Sequence, residues 1–89
     1  MILTRPTFDK AFGKLSPAQQ DMVRTALLVL PEVFGRPHLH RGIGIRPFGG
    51  FYECRAGLGT RIIFLWSKGD FVLTFVGDHR AVANWIKTR

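Results

Sequence analysis

The chain has 89 residues, 46% of them hydrophobic, with eight Phe and two Trp. That is enough apolar matter for one packed core and too little length for two, so a single domain over 1–89 is expected and disorder is excluded. A lone cysteine, Cys54, excludes an internal disulfide framework, and no apolar run approaches the roughly 18 residues of a membrane span. The opening "MILTRPT" lacks a charged-then-apolar signal pattern, so a cytoplasmic protein with no membrane association is expected.

"MILT" reads as a short edge strand. Phe8, Ala11, Phe12 and Leu15 then recur at helical spacing, predicting an amphipathic helix that Gly13 weakens and Ser16-Pro17 ends. The same pair opens a second helix, with Ser16 as N-cap and Pro17 in the first position. Its stripe is Met22, Val23, Ala26, Leu27, Leu30 and Phe34, running to Gly35, with Pro31 tightening the last turn. Two helices so closely joined must lie antiparallel or steeply crossed, each with an apolar face to bury.

Residues 36–50, "RPHLHRGIGIRPFGG", are too rich in Gly and Pro for a regular helix, though Ile43 and Ile45 fit the start of a strand. His38 and His40 project to one side of an extended chain, but no third ligand lies nearby, so no metal or other cofactor is expected. Three strands follow, at about 51–56, 60–67 and 70–76. The tail "RAVANWIKTR" fits a short helix with Val82 and Trp85 or Ile86 facing inward.

Turn arithmetic sets the register. A loop over Gly57-Leu58-Gly59, with Gly59 left-handed, places Arg55 opposite Arg61, Glu53 opposite Ile63 and Phe51 opposite Leu65. A turn at Lys68-Gly69 places Trp66 opposite Phe71, Phe64 opposite Leu73 and Ile62 opposite Phe75. Because side chains alternate, Tyr52, Cys54, Ile62, Phe64, Trp66, Phe71, Leu73 and Phe75 share the core face. The other face takes Phe51, Glu53, Arg55, Arg61, Ile63, Leu65, Val72, Thr74 and Val76. It is apolar at one end and charged at the other. Cys54 is expected to be a buried, inert thiol.

The charge falls unevenly. Of a net +7, residues 36–61 hold +4, as five arginines against Glu53. Arginine's planar fork suits phosphate, so RNA or DNA fits, and an acidic protein partner fits equally well. Like charges directly opposed destabilise a sheet, so Arg55 facing Arg61 calls for compensation. Glu53 beside them offsets part of the repulsion, and a bound anion would offset the rest. The turn at Gly77-Asp78 delivers His79 and Arg80 to the same end, where a neutral imidazole would serve as a proton acceptor.

These elements, in this order, resemble the RelE/ParE superfamily of bacterial type II toxins. The likeness is carried by the helix pair ending near "LPEVFGRP", by "HLHRG", by "FYECRAG", "TRIIFLW" and "DFVLTFVG", and by "GDHRAV". It spans nearly the whole chain. It implies an α+β fold, β-α-α-β-β-β, with an antiparallel sheet, a two-helix hairpin on one face and a short C-terminal helix. It also implies an antitoxin partner, oligomerisation through that antitoxin, and, in the RelE branch, cleavage of messenger RNA in the ribosomal decoding site by a metal-independent endoribonuclease.

By that likeness Arg55, Arg61, His79 and Glu53 are the catalytic candidates. Arg55 matches the residue on the scissile phosphate, Arg61 the basic residue of the next strand, and His79 a general acid or base. Glu53 matches a position that is acidic only in some members. His40, Arg41, Arg46, Arg80 and Trp85 are candidates for binding RNA. The sequence departs from many nucleolytic members in lacking a Tyr or His near its C-terminus and the lysine pair that some of them use. Two other readings remain open: a ParE-like inhibitor of DNA gyrase that acts by binding, and a non-catalytic basic module for RNA or an antitoxin. Ile63, Leu65 and Val72 form the apolar patch on which an antitoxin segment is expected to dock.

Overall fold

Local chemistry at the helix starts matches the sequence closely. The structure is a computed structural model that describes residues 1–88, without the side chain of Arg41. After strand β1 (Ile2–Thr4), helix α1 spans Pro6–Gly13 and helix α2 Pro17–Val33. Ser16 caps α2 in a reciprocal box: its hydroxyl accepts from the Gln19 amide at 3.2 Å, and the Gln19 side chain accepts from the Ser16 amide at 2.9 Å. Pro31 sits inside α2 without ending it, and the helix continues to Val33.

A 3₁₀ segment, Pro37–Gly42, leads to four consecutive strands: β2 (Arg46–Phe48), β3 (Phe51–Ala56), β4 (Thr60–Ser67) and β5 (Asp70–Gly77). Helix α3 (His79–Lys87) follows, capped by Asp78, whose carboxylate accepts from the Ala81 amide at 2.8 Å. The sheet order is β1-β5-β4-β3-β2. The expected β-α-α-β-β-β architecture is therefore present, with two additions. β1 runs parallel to β5 while every other pairing is antiparallel, and the Gly-Pro segment contributes β2 as a fifth strand. The strand starts at Arg46 rather than at Ile43, because the tight turn at Gly49-Gly50 sets Phe48 opposite Phe51 and Arg46 opposite Glu53.

The β3–β4 register is the one expected, with Arg55 opposite Arg61 and Glu53 opposite Ile63. The turn differs in one respect: Gly57, not Gly59, takes the left-handed conformation, at φ 72°. β4 and β5 pair as expected from Ser67↔Asp70 to Phe64↔Leu73, and then the register slips. Thr74 is the extra residue of a bulge: its hydroxyl donates to the Ile63 carbonyl at 3.1 Å, and its own carbonyl accepts from the Thr7 hydroxyl. Beyond it Ile62 faces Val76 instead of Phe75, and Arg61 faces Gly77. Phe75 and Val76 thereby exchange the faces expected for them.

One sheet face packs on α1 and α2. Phe8, Val23, Ala26 and Leu30 meet Cys54, Ile62, Phe64, Leu73 and Val76 in a dry core. Phe34, just past α2, contacts the rings of Tyr52, Phe64, Trp66 and Phe71 at 5.2 to 5.8 Å. Trp66 sits at the margin of this core and stays 46% exposed. α3 covers the other face: Trp85 stacks on Phe75 at 5.3 Å and meets Phe51 edge-on at 5.1 Å. Ile63 and Val82 are sealed there as well. Of the apolar patch expected to lie open for an antitoxin, Ile63 is thus buried, while Leu65 and Val72 stay partly exposed.

Candidate functional site

At its other end the α3-covered face carries charge. Glu53 is fully buried, and its Oε1 accepts from Arg61 Nη1 at 2.9 Å and from Arg46 Nε at 3.0 Å. The three residues lie on adjacent strands, β4, β3 and β2, so the ladder itself brings them together. A buried carboxylate without partners would cost several kcal/mol, on the order of the penalty for an unpaired buried ion, and the two guanidiniums remove that cost. Arg46 engages through Nε, which leaves its terminal nitrogens for other acceptors. The side chains of Arg46 and Arg61 are 54% and 25% exposed, so both reach solvent from this anchor.

The expected cluster paired Glu53 with Arg55 and Arg61. Arg46 is the partner that the residue-by-residue reading assigned only to RNA binding. Two glycines at 49–50 between "RPF" and "FYE" were the available signal: counting outward from them pairs Arg46 with Glu53. Glu53, expected as a catalytic candidate, is enclosed and ion-paired to both guanidiniums.

Arg55 stands directly across from Arg61, and its guanidinium lies over Gly44. A Cβ at Gly44 would come within 2.6 Å of Arg55 Nε, and the residue has φ +60°, so both space and backbone require glycine. The Arg55 amide also donates to the Ile43 carbonyl at 2.6 Å, tying strand β3 to this segment. Gly44 is a residue the sequence reading missed. Arg55, Arg46, Gly44 and His40 share a shallow depression of about 470 Å³ with Pro37 and Ile45. Among the described residues, no acidic side chain lines it.

His40 belongs to the 3₁₀ segment and stacks on Phe34 at 6.1 Å. Its Nε2 accepts from the Gly35 amide at 3.1 Å, so the ring's proton sits on Nδ1, and the nitrogen a general base would use is occupied. His40 is the acceptor of that bond, and its Nδ1–H is the group left to donate. Arg41 lies outside the described side chains. His79 is the first residue of α3, two positions beyond the Gly77 that pairs with Arg61, and it is exposed with no hydrogen-bond partner among the described residues. Arg80 follows it, also exposed. Trp85, considered for stacking on a base, spends its ring on Phe75 and Phe51 inside the protein. Cys54 is fully buried on the core face, and burial, then the Glu53 carboxylate, push its thiol up to about 12.

The arrangement therefore presents three guanidiniums from three neighbouring strands, one buried carboxylate beneath them, and an exposed imidazole beyond the end of β5. It is suited to holding a phosphodiester and transferring a proton beside it.

No protein-family model and no curated protein sequence matches the chain. Solved structures do. A copper-bound mutant toxin from Helicobacter pylori superposes with a TM-score of 0.68 at 16% identity, over 91% of this chain and 96% of that one. YafQ from E. coli gives 0.68 at 14%, over 92% and 96%. The RelB-RelE antitoxin-toxin complex from Methanococcus jannaschii gives 0.64 at 16%, over 93% and 96%. Identities this low carry the fold alone, and they carry it across nearly the whole of each chain. The strand order, the helix pair and these superpositions agree: the chain has the RelE-like fold.

Proposed function

We propose that residues 1–89 form one toxin domain of a toxin–antitoxin pair, which cleaves messenger RNA on the ribosome and so acts in the cytoplasm. The observation that carries this reading is the gathering of Arg46, Arg55 and Arg61 on one patch with a single carboxylate among them. Such a patch has cationic charge to spare for the backbone of RNA. The proposed reaction is attack by a ribose 2′-hydroxyl on the adjacent phosphorus. The hydroxyl proton passes to a base, the P–O5′ bond breaks, and the departing oxygen takes a proton. The products are a 2′,3′-cyclic phosphate and a 5′-hydroxyl.

Arg55 and Arg61 stabilise the extra negative charge of the crowded phosphorus, which requires no reorganisation because rigid strands hold both. His79, two residues past the Gly77 that faces Arg61, is the imidazole that moves a proton, since Glu53 is enclosed and His40 Nε2 is engaged. His40, Arg46 and Arg80 bind flanking phosphates. The likeness to RelB-RelE complexes supports an antitoxin partner through which the toxin oligomerises.

In vitro translation of a defined message, followed by toeprinting, tests the reading. Cleavage within codons is expected with the unaltered chain. Arg61→Ala is expected to lower its rate roughly 10²–10³-fold, comparable with loss of one preorganised charge-stabilising donor. His79→Ala is expected to lower it roughly 10²-fold or more. Normal translation accompanied by gyrase-dependent DNA breaks would replace the nuclease with a gyrase-binding toxin.

A further inference from the structure

Arg55 lines two openings. One is the charged depression around Gly44, and the other is a groove of about 690 Å³ between α2 and the β3–β4 turn. Two small buried residues make room for it, Ala26 of α2 and Ala56 of β3, which are 5% and 1% exposed. Met22, Val29 and Ile43 add apolar walls. The Met22 thioether lies against Gly57, where a Cβ would collide with its sulfur. A thioether is polarisable and adapts its shape, which suits it to cover the face of a flat ring.

Among the described residues that line the groove, Arg55 is the one cation and Asp21 the one anion. Asp21 and Thr25 stand one helical turn apart on α2. The Thr25 hydroxyl donates to the Asp21 carbonyl at 3.1 Å, so its oxygen is left to accept. The Asp21 carboxylate accepts from Arg24 Nη1 at 2.9 Å in an exposed pair, and with about four acceptor positions it has others for a ligand. These two side chains therefore offer acceptors only. A matching ligand carries an anion for Arg55, a flat apolar body, and hydrogen-bond donors on its far edge.

We propose that this groove is a base site, taking a guanine of an RNA strand whose phosphate lies on Arg55. Guanine presents N1–H and N2–H side by side, so it alone among the four bases meets a carboxylate with two parallel hydrogen bonds. Adenine and cytosine set one amino group beside a ring acceptor. Uracil sets one N–H between two carbonyls, which the carboxylate repels. The site deepens the proposed function and rests on RNA crossing the arginine patch. It gives α2, otherwise a packing element, a part in choosing which nucleotide stands next to the phosphate on Arg55.

The test is binding of the full chain to the 2′-O-methylated oligonucleotides UUGUU, UUAUU and UUUUU, read by fluorescence anisotropy and amide NMR. The methyl groups block attack by the 2′-hydroxyl, so binding is measured without cleavage. UUGUU is expected to bind roughly tenfold more tightly than the other two, the discrimination of one good bidentate pair. Its binding is expected to shift the amides of Ala26, Ile43, Ala56 and Gly57. Asp21→Asn, altered at an exposed position, is expected to reduce the preference to about twofold or less, while affinity for UUUUU holds or rises as a negative charge is lost. Retained binding to UUUUU shows that the variant is folded. Equal affinity for the three oligonucleotides overturns the base site even where codons are cleaved, so the nuclease reading survives that failure. A guanine preference unchanged in Asp21→Asn also overturns it, as does guanosine monophosphate that binds the groove as tightly as UUGUU, since the ligand would then be a free nucleotide. Absence of binding to all three removes the RNA reading and the base site together.

Discussion

The two faces of strands β3 and β4 are built from alternate residues of the same segments, yet they follow different rules. On one, Cys54, Ile62 and Phe64 pack against α1 and α2 with no charge among them. On the other, Glu53 is as deeply buried as its neighbours Cys54 and Ile62, and is retained by Arg46 and Arg61. The first face is stable because nothing there needs a partner. The second is stable only while its buried carboxylate keeps its guanidinium partners. The proposed function rests on the second, since a guanidinium anchored from beneath can present its remaining donors to a ligand.

Truncation measures the contrast. Phe64→Ala removes a fully buried ring from the dry face and is expected to cost about 4 kcal/mol in urea unfolding. Glu53→Ala deletes the counter-ion and leaves two guanidiniums facing each other. The expected loss is about 3 kcal/mol, at the low end for a broken buried pair because both arginines retain contact with water. For a chain of this size that lowers Tm by roughly 10 °C or more. A cost under about 1 kcal/mol would mean that the second face behaves as an ordinary solvated surface, and the contrast would collapse.

Cys54 probes the dry face by pH. Its thiol stays protonated in the fold up to about 12, whereas the unfolded thiol ionises near 9. Between those values the native state holds a proton that the unfolded state has lost, so stability contributed by the thiol falls as pH rises. Urea unfolding at pH 8 and pH 10 should show a loss of about 1.4 kcal/mol per pH unit above 9. That slope should appear in the difference curve between the unaltered chain and Cys54→Ala.

On the charged face, Gly44→Ala would force the Arg55 guanidinium away from its seat. If the proposed nuclease activity holds, roughly a tenfold fall in cleavage rate is expected, about 1.4 kcal/mol, with the unfolding midpoint changed far less than by Glu53→Ala. The smallest expected effect is that of Thr74→Val. Losing the hydroxyl that bonds the Ile63 carbonyl leaves a buried acceptor short of a donor, at a cost of about 1 kcal/mol read by urea unfolding.

Much of this contrast was legible in the sequence because turns and periodicity are local. Ser16-Pro17 announced a helix start, and the count around Gly57-Leu58-Gly59 assigned Cys54 and Glu53 to opposite faces. What escaped was non-local. Nothing in "DFVLTFVG" distinguishes a bulge at Thr74, which depends on hydroxyl bonds to Ile63 and from Thr7. Nor does a local pattern reveal that α3 returns to seal Ile63, or that Arg46 shares Glu53 with Arg61. Gly44 was invisible for the same reason, since its requirement comes from the Arg55 side chain laid over it.

The bulge at Thr74 makes β5 two half-strands with opposite loyalties. Before it, Phe71 and Leu73 point to the helix pair; after it, Val76 does, and Phe75 becomes the seat of Trp85. The position of one residue thus decides where the C-terminal helix attaches. Flattening the bulge, with Thr74 itself drawn opposite Ile63, would leave the β1 pairing at residues 71–73 untouched but turn Phe75 inward and Val76 outward. α3 would lose its aromatic anchor, and the histidine at its first turn would no longer have a fixed address relative to Arg61.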